Sequence, residues 1–301
     1  MFNAVEQRLR ANPEADGPAG VVHEALSPGF GYTLGYRRKL LDKRSRFQHI
    51  EVFESEEFGN VLRLDGALQC SEKDEFLYHE ALVHMAAFSH PHPVRALVIG
   101  GGDGGAAEEL LKHPTIVEVV LVEIDKEVVG AASRYLHSVN GGLFDSPDAR
   151  FRYVDGDGHA YLRQQEEPFD LIVLDLTDAG GPSLPLYGRD FYALCRQRLR
   201  SGGLMSLHLA SPWAHERRLH RILAELEAAR WEVRPFMTSI LMSGGIWLMG
   251  LCVPEGGPLK GVLPVYRREL AGPALRYYSP EIHDAMRILP PYIRDMLHAD
   301  P

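Results

Sequence analysis

The chain has 301 residues, 45% of them apolar and 24% charged, with a formal net charge of −9. Those figures describe a globular chain of one or two domains. The negative balance argues against nucleic acid or an anionic membrane face as the main partner. Cys70, Cys195 and Cys252 are odd in number and widely spaced in apolar or strand-like contexts. They read as buried thiols in a reducing compartment, with no disulfide framework and no metal site expected. The N-terminal run lacks the apolar core of a signal peptide, and no uncharged apolar run of about 18 residues follows, so a cytoplasmic protein is expected.

In chain order, residues 1–20 are polar and broken by Pro13, Gly17, Pro18 and Gly20, a short helix and loose arm with no assigned function. Strand-like runs follow at Tyr32–Leu41, Phe47–Phe53, Asn60–Leu64 and Ala67–Ser71, with Asp65-Gly66 as a hairpin turn. They predict a small antiparallel β domain over residues 21–72. Helical character begins at Glu72 and runs to Phe88, with Leu77, Ala81, Met85 and Phe88 as its core side and Asp74, Glu75, Tyr78 and His79 grouped near its N-terminal end. Residues 73–301 are expected to form the second domain.

The organising stretch is Ala96 to Asp125. An apolar run without alternation, Ala96–Ile99, predicts a strand buried on both faces. Gly100, Gly102 and Gly105 fit G-x-G-x-x-G, and the next strand ends at Glu123, about 20 residues on, where a carboxylate can take ribose hydroxyls. That is a nucleoside site. Asp103 lies inside the turn, where a fixed negative charge repels a pyrophosphate and attracts a cation. The expected ligand therefore carries adenosine and positive charge, a sulfonium nucleoside of the S-adenosylmethionine type. An NAD dehydrogenase is disfavoured for the same reason, and a purely capping role for Asp103 is the plain alternative.

A helix over Lys126–Tyr135 and a strand over Arg150–Val154 lead to Asp155-Gly156-Asp157-Gly158, where Asp157 is placed to meet an adenine amino group, although Asp-Gly is also a common turn filler. The buried run Phe169–Leu174 ends in Asp175 and Asp178, followed by a glycine- and proline-rich connection of the kind that forms lids. Like charges so close cost stability unless something positive sits between them. Alternating helices and strands to about Val253 complete an α/β pattern.

Over about residues 24–299 the chain resembles the polyamine aminopropyltransferases, the spermidine synthase family. The resemblance is carried by Arg46-Phe47-Gln48-His49-Ile50, Leu64-Asp65-Gly66 with Gln69, Glu72-Lys73-Asp74-Glu75-Phe76 with Tyr78-His79-Glu80, and GGGDGG at 100–105. Glu123-Ile124-Asp125, Gly156-Asp157-Gly158, Asp175 with Asp178, and Leu275-Arg276-Tyr277-Tyr278 with Glu281-Ile282-His283 complete the set. The resemblance implies an α/β fold with a Rossmann-like, methyltransferase-type, mostly parallel sheet behind a small N-terminal antiparallel β domain. It also implies a homodimer or homotetramer, no permanently bound cofactor, and decarboxylated S-adenosylmethionine as co-substrate. It assigns Gln48, Glu123 and Asp157 to the nucleoside, with Gly100 and Gly102 in the turn, Asp103 and His79 near the aminopropyl tail, and Asp175 with Tyr78 at the attacking amine. Asp178, His208 and Gln69 fall on the acceptor side.

Departures from the family pattern cluster on that side: Ser27 before Pro28-Gly29, Ala179 after the second acid, His208, and Leu241-Met242 before Ser243-Gly244. They predict a wider, less aromatic corridor, a partly cationic His208, and an acceptor longer than putrescine or differently ended. An S-adenosylmethionine-dependent amine N-methyltransferase and a non-catalytic polyamine or nucleoside binder are the competing readings.

Overall fold

The computed structural model describes residues 19–178, 181–259 and 275–298. Residues 1–18 of the expected arm, and Ala179, lie outside the described residues; Gly20 already belongs to a strand.

Six strands come first: β1 (Gly20–Ser27), β2 (Phe30–Tyr36), β3 (Arg38–Arg44), β4 (His49–Ser55), β5 (Gly59–Leu64) and β6 (Ala67–Ser71). β1 has no counterpart among the expected strands. The run expected as one strand over Tyr32–Leu41 is two, because β2 pairs with β1 in a two-stranded sheet while β3 joins a separate sheet of order β3-β4-β5-β6. The inner face of that second sheet, Ile50, Val52, Leu62 and Leu64, packs on Val128, Ala132 and Leu136.

Helix α1 (Glu75–Ser89) leads to a seven-stranded sheet of order β12-β13-β11-β10-β7-β8-β9. Its strands are β7 (Arg95–Gly100), β8 (Glu118–Glu123), β9 (Phe151–Asp155), β10 (Phe169–Asp175), β11 (Leu199–Ala210), β12 (Trp231–Ile240) and β13 (Gly245–Pro254). β7 through β11 are parallel, and β13 runs antiparallel to both β11 and β12. The helices are α2 (Gly105–Leu111), α3 (Lys126–Tyr135), α4 (His137–Asn140), α5 (Gly158–Gln164), α6 (Arg189–Gln197), α7 (Glu216–Ala228), α8 (Pro280–Ala285) and α9 (Pro291–His298). Strand residues alternate between two cores: Ala96, Val98, Leu171 and Val173 face one, Leu97, Ile99, Ile172 and Leu174 the other. This is the reason β7 and β10 read as continuous apolar runs. The chain adds strands outward from β7 through β8 and β9, then returns to lay β10 on its other side. The C-terminal ends of β7 and β10 thus form a topological switch point, where open α/β sheets bind ligands.

One expectation is corrected here. Helix α1 is not two-sided: from His79 to Ser89 every residue is buried. It runs between α2 and the sheet, so its polar residues need internal partners. Glu80 accepts backbone N–H bonds from Arg276 (2.8 Å), Tyr277 (2.8 Å) and Tyr278 (2.7 Å), fixing the C-terminal segment to the helix. His84 lies 2.9 Å from His113 and 3.0 Å from Glu109. Among the described residues no helix is long and apolar enough to cross a membrane. Because Glu80→Ala leaves three inward-facing N–H groups without their acceptor, it is expected to cost roughly 3–5 kcal/mol in chemical denaturation.

Candidate active site

The candidate residues come from separate elements and meet at the switch point. Tyr78 and His79 lie on the first turn of α1, the glycines and Asp103 on the β7–α2 turn, and Glu123 at the end of β8. Asp157 precedes α5, Asp175 ends β10, Asp178 follows it and His208 lies in β11. Gln48 and Gln69 come from the small sheet. All of them line one cavity of about 600 Å³.

The turn is shaped by its glycines, though not in the order the motif suggests. Gly100, Gly101 and Gly104 carry the positive φ values of 80°, 66° and 87°. Gly102 is needed for space instead, since a Cβ there would stand 3.0 Å from the Glu123 side chain. A Cβ on Gly100 would fall 2.1 Å from the Asp175 carbonyl oxygen, the atom that accepts the Gly101 N–H at 2.7 Å. Strand register therefore sets Asp175 directly against the glycine turn.

Asp103 does two jobs. Its Oδ1 accepts the Gly105 N–H at 2.9 Å and lies 3.5 Å from His79 Nε2, so it both holds the turn and faces the cavity. His79 Nδ1 donates to Glu75 Oε2 at 2.8 Å, and Nε2 lies 3.8 Å from Asp175 Oδ2. Burial opposes charge on this imidazole, but Asp103, Glu75 and Asp175 outweigh it and hold the pKa well above the usual value. Tyr78 donates to Asp175 Oδ1 at 2.9 Å. Asp175 Oδ2 is buried and accepts no hydrogen bond from any described residue. Burial, and then the Asp103 charge, push the Asp175 carboxyl up to about 6.

On the nucleoside side, Glu123 is buried and accepts the Asp125 N–H at 2.8 Å, and burial pushes its pKa up to about 7. Gln48 Nε2 donates to Asp125 Oδ2 at 3.0 Å. Asp157 caps α5 by accepting the Ala160 N–H at 2.9 Å, so the turn-filling and ligand-facing readings both describe it.

The acceptor side differs from expectation at His208, Leu241 and Asp178. His208 is not partly cationic: burial lowers its pKa. Tyr187 O–H donates to the Thr177 carbonyl at 2.8 Å, so its oxygen accepts from His208 Nε2 at 2.7 Å, and Trp247 Nε1 donates to Nδ1 at 3.4 Å. Tyr32, Tyr78 and Trp247 line the cavity. Leu241 stands 70% exposed, outside the lining, while Met242 is buried and belongs to it. Asp178 is also not free, since Arg218 Nη1 lies 2.5 Å from its Oδ2. Gln69 donates to the Ala67 carbonyl at 3.1 Å.

Sequence reasoning missed Trp247, Tyr187, His215 and Arg218. None of them has a sequence motif around it, so no local signal marks it. The link between Glu75 and His79 was legible as an i, i+4 pair.

Comparison with known proteins agrees with this geometry. The profile described as the spermine/spermidine synthase domain matches residues 75–255, and one described as the spermidine synthase tetramerisation domain matches residues 20–72. A polyamine aminopropyltransferase of Nitrosomonas europaea is 40% identical over 91% of this chain and 85% of its own length. A spermidine synthase of Schizosaccharomyces pombe is 35% identical over 90% of both chains. Among solved structures, a spermidine synthase in complex with the transition-state analogue AdoDATO superposes with a TM-score of 0.85 at 30% identity, covering 96% of this chain and 99% of that one. The spermidine synthase of Thermotoga maritima gives 0.84 at 31% identity, covering 96% and 98%. The chain belongs to the spermine/spermidine synthase family.

Proposed function

We propose that this chain transfers the aminopropyl group of decarboxylated S-adenosylmethionine to an amine acceptor, releasing methylthioadenosine. The observation that carries the reading is the buried Oδ2 of Asp175, which accepts no hydrogen bond, on a carboxylate whose Oδ1 takes the Tyr78 hydroxyl beside the Asp103–His79 pair. The names borne by the relatives support it. Residues 73–301 are read as the catalytic domain and residues 21–72 as an oligomerising β domain, of a homotetramer in view of the matched tetramerisation profile. The three free, buried cysteines fit a reducing, cytoplasmic setting.

Glu123, Gln48 and Asp157 hold the nucleoside, and Asp103 faces the ammonium of the tail. The acceptor binds as an ammonium against Asp175. A primary amine with a pKa of about 10 is mostly protonated at neutral pH, so it must surrender a proton before it can attack. Asp175 takes that proton. The nitrogen lone pair then forms the new C–N bond as the C–S bond breaks, and sulfur keeps the electron pair, which turns the sulfonium into a neutral thioether. Burial and the adjacent Asp175 charge hold the Tyr78 pKa well above its usual value, so the phenol stays protonated and orients the carboxylate. Positive charge disperses along the reaction coordinate, and the protein contributes chiefly by alignment.

Decarboxylated S-adenosylmethionine is expected to bind at least about tenfold more tightly than S-adenosylmethionine, whose extra carboxylate would meet Asp103. Calorimetry giving the reverse order would favour methyl transfer instead. Asp175→Asn is expected to lower turnover by roughly 10² to 10⁴ with donor binding retained. In the parent enzyme kcat/KM, which reports the free protein, should fall as pH drops through about 6, where Asp175 becomes protonated.

The same group makes a stability prediction. The folded pKa of Asp175 is raised above its ordinary value of 3.8, so the folded state holds the proton over a window where the unfolded chain has lost it. Stability from this group is present below that window and lost as pH rises through about 6. Asp175→Asn should therefore melt above the parent at pH 8, with the difference shrinking as pH is lowered toward 4. A variant that melted lower at pH 8 would mark the carboxylate as structural.

A further inference from the structure

The acceptor half of the cavity holds an ion pair that no family motif accounts for. Arg218, on the first turn of α7, projects to Asp178 with an Nη1–Oδ2 distance of 2.5 Å, and both side chains line the cavity. The positive group at Asp178 is thus supplied by the chain itself. The two histidines at this end supply no negative charge. His208 is buried, neutral and held between Tyr187 and Trp247. His215 also lines the cavity, and burial followed by the Arg218 charge lowers its pKa. Glu24 also lines the cavity; it accepts the Leu68 N–H at 2.9 Å, and burial raises its pKa. The rings of Tyr32, Tyr78 and Trp247 also line the cavity. The cavity is therefore anionic where Asp175 and Asp103 meet the reacting nitrogen, and at the far end one of the acids, Asp178, is paired with a cation.

Resting on the aminopropyltransferase reading above, we infer that Arg218 is a specificity-determining residue that pairs with Asp178 and weakens the pull of the far end of the acceptor pocket on a second positive charge. The acceptor class that fits is an amine held by its reacting nitrogen and its apolar chain, with its other end uncharged or reaching past the pair to solvent. With Asp178 unpaired, the far end would reward the second ammonium of a short diamine more strongly than it does with Asp178 held by Arg218. Arg218 acts through Asp178 and touches no reacting atom, so its effect belongs in acceptor KM and not in kcat.

The test compares butane-1,4-diamine with butylamine as acceptors for the decarboxylated donor, scored by methylthioadenosine release and product mass. The ratio of their kcat/KM values within one protein cancels any general loss of folded enzyme. In the parent the ratio should stay within about threefold, the scale of a weak, screened charge contact. Arg218→Gln should raise it by roughly tenfold, mainly through a lower KM for the diamine. Arg218→Lys, which keeps the charge, should leave it near the parent value, and the double variant Arg218→Gln/Asp178→Asn, again balanced, should return it there. A parent that already prefers the diamine by more than about tenfold, or an Arg218→Gln ratio equal to the parent's, overturns the inference. So does a double variant that keeps the raised ratio, since Arg218 would then act other than through Asp178. If neither amine yields methylthioadenosine with the parent, the transferase reading itself fails, a result distinct from transfer without the expected ratio.

Discussion

The structure depends on one concentration of buried charge. Glu75, Asp103 and Asp175 converge on the single imidazole of His79, with contacts of 2.8, 3.5 and 3.8 Å. Removing carboxylates from water costs several kcal/mol each unless positive charge and hydrogen bonds repay it. One imidazolium offsets only part of that cost, and the remainder shows as the raised pKa of Asp175 and its unpartnered oxygen. Such a site is short of positive charge. A sulfonium donor with an ammonium tail and a protonated amine acceptor would supply it, so substrate binding and relief of electrostatic strain become one event.

The fold exists to hold this cluster without letting it relax. Parallel pairing of β7 with β10 sets Gly100 beside Asp175, and the Gly101 N–H takes the Asp175 carbonyl, so the carboxylate leaves the sheet at a fixed point. Helix α1 is fixed against the same sheet, and Thr238 Oγ1 and Ser206 Oγ donate to its backbone carbonyls at Leu77 and Leu82. A Cβ at Gly105 would meet the His79 ring at 2.4 Å, so α2 can approach α1 closely only with glycine there. The small sheets close the cavity from the other side: Ser27 and Pro28 come from the β1–β2 turn, Gln48 from the approach to β4 and Gln69 from β6. No single element could place these groups within reach of one ligand.

The lid region follows the same logic. Its described part forms a short 3-10 helix over Gly181–Tyr187, whose Ser183 hydroxyl meets Thr177 at 2.5 Å and whose Tyr187 hydroxyl reaches the Thr177 carbonyl. Tyr187 also fixes the tautomer of His208. This segment and β11 are thus joined by one chain of hydrogen bonds.

How much of this was legible depended on the range of the interaction. Apolar runs without alternation announced β7 and β10, and the glycine turn with Asp103 announced a cation-favouring nucleoside site, because strand burial and turn chemistry are local properties. Even so, the positive-φ glycines proved to be Gly100, Gly101 and Gly104, since the motif records spacing and not dihedral angle. The burial of α1 from His79 to Ser89 was not legible, because the partners of Glu80 and His84 lie on residues far along the chain. The pairing of Asp178 with Arg218, 40 residues on, and the neutral His208 are likewise tertiary facts. By itself the sequence determined the α/β fold, the turn and the residues available for chemistry. Only the tertiary structure decided their charge states, because a pKa is set by burial and by neighbours that the chain brings together when it folds.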